Sequence, residues 1–199
     1  TAMTINSVGV IGSGLMGSGI AQVAAQAGCQ VRVRDTATGQ LQKGRASIEK
    51  STAKLVEKGK ILASDRDAAL SRLEFTTDLG QLALSDLIIE AITEDLDLKN
   101  QIWSELDRLC PSHTIFASNT SSLTIAAMAV ATTRPDRFAG LHFFNPVPLM
   151  TLVEVVRSVG TSQETVDRLF AFARQVGKEP VAARDSSGFI VNLLLVPYI

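Results

Sequence analysis

Short apolar runs alternate with longer stretches of helical periodicity along most of the chain. Val8-Gly9-Val10-Ile11 reads as a buried strand, and the stretch Met16–Ala27 after it has helical character. Gly28 follows as the residue that closes a helix in the left-handed region. Val31 and Val33 alternate with Arg32 and Arg34 up to Asp35, a strand pattern of period two. A long polar helix is predicted over Thr38–Lys58 and a second helical piece over Asp65–Leu73. Further strands are predicted at Leu87–Glu90, Thr114–Ala117, Phe138–His142, Leu152–Val156 and Pro180–Ala183, and further helices at Leu96–Leu109 and Ser162–Val176. Strands and helices joined by short connections imply a mostly parallel sheet covered on both faces. The expected fold is α/β, Rossmann-type and doubly wound, with a helical excursion after the second strand.

Composition adds little. The 199 residues are 46% hydrophobic and 20% charged, ordinary for a water-soluble domain, and the net charge of -1 gives no field to recruit nucleic acid or an anionic membrane. The longest apolar stretches fall short of the roughly 20 residues that span a bilayer. Cys29 and Cys110 lack metal-ligand spacing and read as buried thiols in a reducing cytoplasm or mitochondrial matrix, the cytoplasm being favoured. Phe189–Ile199 is almost wholly apolar, which in a helix calls for burial on all sides.

The first chemical signal is Gly12-Ser13-Gly14-Leu15-Met16-Gly17, a G-x-G-x-x-G pattern between a predicted strand and helix, with an acid, Asp35, closing the next strand. Gly12 permits the tight turn, Gly14 lets the backbone approach a pyrophosphate, and Gly17 lets helix and sheet pack closely. The helix start offers free N–H groups to phosphate oxygens. Asp35 would bind the adenosine ribose and repel a 2′-phosphate, favouring NAD over NADP, although the neighbouring Arg34 is of the type that accommodates that phosphate. A glycine-rich turn without a ligand is the competing reading, and flavin enzymes share the fingerprint.

The second signal lies at strand ends, where α/β sheets bind their ligands. His113 sits in a Pro-Ser-His-Thr turn and reads as a surface residue. His142 ends a strand and opens the stiff loop Phe143-Phe144-Asn145-Pro146-Val147-Pro148. Glu154 stands among Leu152, Val153, Val155 and Val156, where an unpaired buried carboxylate would be costly. Two strands joined by that loop would bring Glu154 to His142, holding the imidazole in one tautomer as a general base. The alternative is a Glu154 that faces water from an edge strand, and spacing alone decides neither.

Gly140-Leu141-His142-Phe143-Phe144-Asn145-Pro146-Val147-Pro148 followed by Leu152-Val153-Glu154-Val155-Val156 resembles the 3-hydroxyacyl-CoA dehydrogenase family, as do Ala117-Ser118-Asn119-Thr120-Ser121-Ser122 and Gly188-Phe189-Ile190-Val191-Asn192. The resemblance implies NAD as cofactor and a 3-hydroxyacyl-CoA or 3-ketoacyl-CoA as substrate. It makes His142 the base, Glu154 its partner, and Ser121 and Asn192 hydrogen-bonding groups around the reacting oxygen. It places Glu94, Lys99, Asn119, Ser121 and Asn145 around the nicotinamide half of the cofactor. Without it, Glu94 reads as a helix-start acid, Lys99 as a solvated lysine, and Asn119 and Ser121 as loop polar residues.

Between Lys43 and Lys60 the basic residues Lys43, Arg45, Lys50, Lys54, Lys58 and Lys60 outnumber the acids Glu49 and Glu57. Lys50, Lys54 and Lys58 recur every four residues on one helix face, with Ser51 near the same stripe. A solvated face is the default reading. The resemblance implies coenzyme A contacts at Ser51 and Lys58, not at the other lysines. Leu193, Thr151 and Ser187 depart from the commoner family pattern without touching an expected catalytic group. The expected organisation is an NAD-binding domain over residues 1–186, then over 187–199 the first helix of an all-helical domain that would complete the acyl pocket and a homodimer. The rival readings are a related dehydrogenase of a free hydroxy acid, a non-catalytic nucleotide-binding structural protein, and one section of a multifunctional fatty-acid oxidation protein.

Overall fold

The strand that carries the glycine-rich turn is central, and the rest of the sheet is laid down outward from it. The computed structural model describes residues 4–190. Strands β1 (Ser7–Ile11), β2 (Gln30–Arg34), β3 (Leu73–Thr76), β4 (Leu87–Glu90), β5 (Ile115–Ser118), β6 (Phe138–Phe143), β7 (Leu152–Arg157) and β8 (Glu179–Arg184) form one sheet in the order β3-β2-β1-β4-β5-β6-β7-β8. All neighbours pair in parallel except β6 and β7. The chain order reverses between β1 and β4, the switch point at which ligands bind in such sheets.

Helices α1 (Leu15–Gln26), α2 (Thr38–Glu57), α3 (Ala63–Ser71), α4 (Leu96–Leu109), α5 (Ile125–Ala129) and α6 (Gln163–Gln175) cover the sheet. Two apolar clusters separate its faces. One gathers Val8, Val10, Ile20, Val31, Val33, Ile89, Leu141 and Phe172. The other gathers Ile11, Ile88, Trp103, Phe116, Phe138 and Val156. The alternation of adjacent residues between the clusters, Ile88 to one and Ile89 to the other, is the period-two geometry of a strand buried on both faces. Gly28 has φ +95° after α1, as its place in the sequence predicts.

The structure differs from the sequence reading in several places. Leu73 does not end a helix: α3 stops at Ser71, and Leu73–Thr76 is edge strand β3, paired only with β2. Its side chains are half-buried or exposed, so it lacks the apolar signature of an inner strand. Helix α5 and a 3-10 turn over Leu79–Leu84 lie where no element was expected. β7 is no edge strand, because β8 pairs along its far side. The apolar C-terminal helix expected over Phe189–Ile199 falls from residue 191 onward outside the described residues. No described helix is long and apolar enough to cross a membrane. Cys29 and Cys110 are buried free thiols, and burial is the main cause that pushes Cys110 up to about 11.

Candidate active site

The turn between β1 and α1 depends on glycine for two reasons. Gly12 has φ +96°, and a Cβ there would meet the Ala91 carbonyl oxygen at 2.5 Å. A Cβ on Gly17 would lie 1.9 Å from the Gly12 carbonyl oxygen, so the first turn of α1 packs directly on the loop. Gly14 is the opposite case, with nothing within 4 Å of its Cβ direction. The loop is therefore tight against the protein and open on the side where a pyrophosphate would approach. No side chain caps α1 and no acid occupies its first turn, so the helix start keeps its N–H groups and partial positive charge for an anion.

Asp35 follows β2 and accepts hydrogen bonds from the Ser13 N–H (2.9 Å) and hydroxyl (2.8 Å) and from the Thr36 N–H (2.8 Å). Partial burial pushes its carboxyl up, but hydrogen bonds from Ser13, Thr36 and Ala37 outweigh this and hold it below the usual carboxylate range. It faces the same cleft as Gly12, Gly14, Arg34 and Ile92. An anionic acid opposite an open glycine turn fits the ribose and pyrophosphate of a dinucleotide.

Further along the strand ends, Met16, Glu94, Asn119, Ser121, His142 and Asn145 line a second pocket. Its base is built by register. β6 and β7 are antiparallel with His142 opposite Glu154, so the loop from Phe144 to Thr151 sets the two side chains beside each other. The His142 Nδ1 lies 2.7 Å from the Glu154 Oε2, and Glu154 is fully buried. The other Glu154 oxygen accepts the Ile190 N–H at 2.9 Å. The Phe144 ring, 4.6 Å from that of His142 between centroids, and the Phe189 ring at 5.6 Å box in the imidazole. With Nδ1 donating to the carboxylate, Nε2 is the nitrogen left with a lone pair.

The opposite wall rests on a buried charged cluster. Glu90 ends β4 with no exposure, and its oxygens accept from the Lys99 Nζ (2.9 and 3.1 Å), the Ser118 hydroxyl (2.6 Å) and the Ile92 N–H (2.8 Å). Lys99 is 1% exposed, and its Nζ also lies 3.4 Å from a Glu94 oxygen. Glu94 in turn accepts from the Thr120 hydroxyl (2.7 Å) and the Ser121 N–H (3.1 Å). Asn119 ties β5 to β6 by accepting the Phe143 N–H at 2.8 Å.

A groove beyond the loop is lined by Ser51, Lys54 and Lys58 of the α2 region on one side and Asn145, Pro146 and Pro148 on the other. Ser51 and Lys58 line one groove, and Lys54, exposed like Lys58, lines it with them. Leu15 lines this groove too, whereas Met16 lines the His142 pocket and Ser13 is spent on Asp35. Lys99, a solvated lysine in the residue-only reading, is instead a buried partner of Glu90. Asn192 lies outside the described residues. Reading the sequence missed Glu90, Ser118 and Thr120, although an acid ending the apolar run Leu87-Ile88-Ile89 is the same signal that singled out Glu154.

Fold and site together define a Rossmann-type dinucleotide-binding domain with a histidine–carboxylate pair beside the cofactor cleft. Comparison with known proteins gives the family of this domain. The family described as 3-hydroxyacyl-CoA dehydrogenase, NAD binding domain, matches residues 7–186. Human mitochondrial hydroxyacyl-coenzyme A dehydrogenase is 49% identical over 201 residues, covering 98% of this chain and 64% of that protein. A 3-hydroxybutyryl-CoA dehydrogenase of Mycobacterium tuberculosis is 48% identical over 197 residues, covering 98% and 69%. The crystal structure of (S)-3-hydroxybutyryl-CoA dehydrogenase from Ralstonia eutropha superimposes with a TM-score of 0.95 at 42% identity, covering 98% of this chain and 69% of that one. The chain belongs to the 3-hydroxyacyl-CoA dehydrogenase family and carries its NAD-binding domain, and it spans 64% of the length of the human relative.

Proposed function

We propose that this chain carries the catalytic half of an NAD-dependent dehydrogenase that interconverts (S)-3-hydroxyacyl-CoA and 3-ketoacyl-CoA. The observation that carries the reading is the 2.7 Å contact between His142 and the buried Glu154 in the pocket that continues the dinucleotide cleft. NAD, when bound, supplies the carbon that accepts or returns a hydride. His142 takes the proton of the 3-hydroxyl at Nε2, and Glu154 holds the ring and stabilises the imidazolium that results. In the reverse direction the protonated imidazole donates to the 3-keto oxygen. Ser121, in the same pocket, and Asn192 hydrogen-bond that oxygen. Glu94, Asn119 and Asn145 position the nicotinamide half, with Lys99 acting from beneath, while Asp35 holds the adenosine ribose. Ser51, Lys54 and Lys58 take the phosphates of coenzyme A. An NAD-binding domain over 1–186 followed by a helical domain that closes over the acyl chain and forms a homodimer completes the organisation. A reducing compartment, cytoplasm or mitochondrial matrix, suits the two free thiols.

Turnover of acetoacetyl-CoA against free acetoacetate tests the substrate class. NADH oxidation with the thioester and not the free acid is the expected result, and equal rates with both would leave the basic groove without a role. Within this reading, Lys58→Ala raises KM for acetoacetyl-CoA about two- to fivefold at low salt, the worth of one exposed charge contact. The effect shrinks as salt is added and leaves KM for NADH unchanged, so a KM series at two salt concentrations is the check. Asp35→Ala weakens NADH binding by about tenfold or more, as expected for hydrogen bonds to a charged group. It also narrows the preference over NADPH, which paired titrations with the two nucleotides measure.

A further inference from the structure

The loop that joins the two halves of the site is held by a residue that the reaction does not use. Lys178 follows α6, past Gly177 at φ +75°, and is 7% exposed. Its Nζ donates to the carbonyl oxygens of Val147 (2.5 Å) and Met150 (2.7 Å), and no carboxylate lies within ion-pair distance of it among the described residues. Burial pushes its ammonium down from the ordinary lysine value, the direction expected of a charge taken from water without an opposite charge. A buried cation with only carbonyl partners is an expensive way to anchor a loop, since an apolar side chain fills space at less cost. The loop is also fixed on its other face. Val147 is 2% exposed, and a Cβ added to Gly19 of α1 would lie 2.8 Å from the Val147 Cβ. Between these two anchors the loop presents Asn145 to the His142 pocket, and Asn145, Pro146 and Pro148 to the basic groove. It is one wall shared by two compartments.

We propose that Lys178 is a positioning residue that clamps this shared wall through the Val147 and Met150 carbonyls, and so sets cofactor and thioester binding together. His142 and Glu154 sit in strands whose pairing does not depend on the clamp, so the proton-transfer geometry is independent of it. The assignment of the ligands rests on the functional reading above, whereas the clamp itself does not.

The test is Lys178→Met in the longest form of the protein, with Lys178→Gln, which keeps one donor, and Lys178→Arg, which keeps the charge. Dissociation constants for NADH and coenzyme A are measured by titration alongside kcat, with hydrogen exchange at the Leu149 and Met150 amides. The expected result is about tenfold weaker binding of both ligands in Lys178→Met, kcat within about threefold of wild type, and faster exchange confined to the loop. Lys178→Arg restores both affinities to within about threefold. If Lys178→Met does not fold, Lys178→Gln carries the test, with smaller losses of both affinities. A folded variant that has lost thermal stability but binds both ligands as wild type does would overturn the proposal, and so would loss of one affinity alone. Failure of wild type itself to bind NADH would instead count against the functional reading and leave the exchange measurement to judge the clamp.

Discussion

Replacing His142 with alanine lowers turnover of acetoacetyl-CoA by about two to four orders of magnitude, the range that a positioned general acid–base contributes. NADH affinity stays close to wild type, because the residues that face the adenosine half, Gly12, Gly14 and Asp35, line a part of the cleft that His142 does not reach. This split distinguishes a chemical role from a packing one. His142 is 6% exposed and packed between the tilted rings of Phe144 and Phe189, so its loss also leaves a cavity, but a cavity would act on stability before chemistry. Glu154→Gln keeps the shape and loses the charge that stabilises the imidazolium, and its turnover falls between those of wild type and His142→Ala. Steady-state kinetics with parallel NADH titrations check both variants. A His142→Ala protein that kept more than a tenth of wild-type turnover would remove the base from the mechanism.

The largest stability effect is expected at Lys99 rather than in the apolar core. Lys99→Met leaves the Glu90 carboxylate, with no exposure, facing an apolar side chain where its ammonium partner had been. Breaking a buried pair from one side costs about 3–5 kcal/mol, because a desolvated charge is left behind. Screening by water does not reduce this figure, since neither side chain reaches solvent. For a chain of this size the cost lowers Tm by roughly 10 °C, at about 2–4 °C per kcal/mol. Adding Glu90→Gln to Lys99→Met recovers part of the loss by removing the orphaned charge, while the amide oxygen still accepts the Ile92 N–H and the amide N–H2 donates to the Ser118 hydroxyl. Urea unfolding of the single and double variants reads both numbers. A single variant within about 1 kcal/mol of wild type would show that the cluster carries no such charge pair.

How much of this could be seen in the sequence depended on whether a signal was local. The β1–α1–β2 unit was legible because its strand, turn and helix are contiguous and Gly12 and Gly17 each answer a local steric demand. Edge strand β3 was not, since one residue, Arg72, separates it from α3 and its half-exposed face lacks the apolar run of an inner strand. The His142–Glu154 pair was half legible. A carboxylate in an apolar strand shows that a partner is needed, but the register of two antiparallel strands decides which partner. The cluster of Glu90, Lys99 and Ser118 was missed for the same reason. Glu90 and Ser118 are register partners on β4 and β5, and Lys99 reaches them from α4, three elements that no sequence period connects. Lys54 is exposed, as read, but α2 gives no sign that it lines a groove until the loop after β6 is in place.

The central claim is that the open side of the Gly12–Gly17 turn, the Asp35 carboxylate and the His142 pocket form one NAD site. An equilibrium titration of this chain with NADH and with NADPH tests it most directly. Saturable one-to-one binding of NADH is the expected result, at least about tenfold tighter than NADPH, in keeping with an ionised acid at the ribose. No binding of NADH by a folded chain, or tighter binding of NADPH, would contradict it.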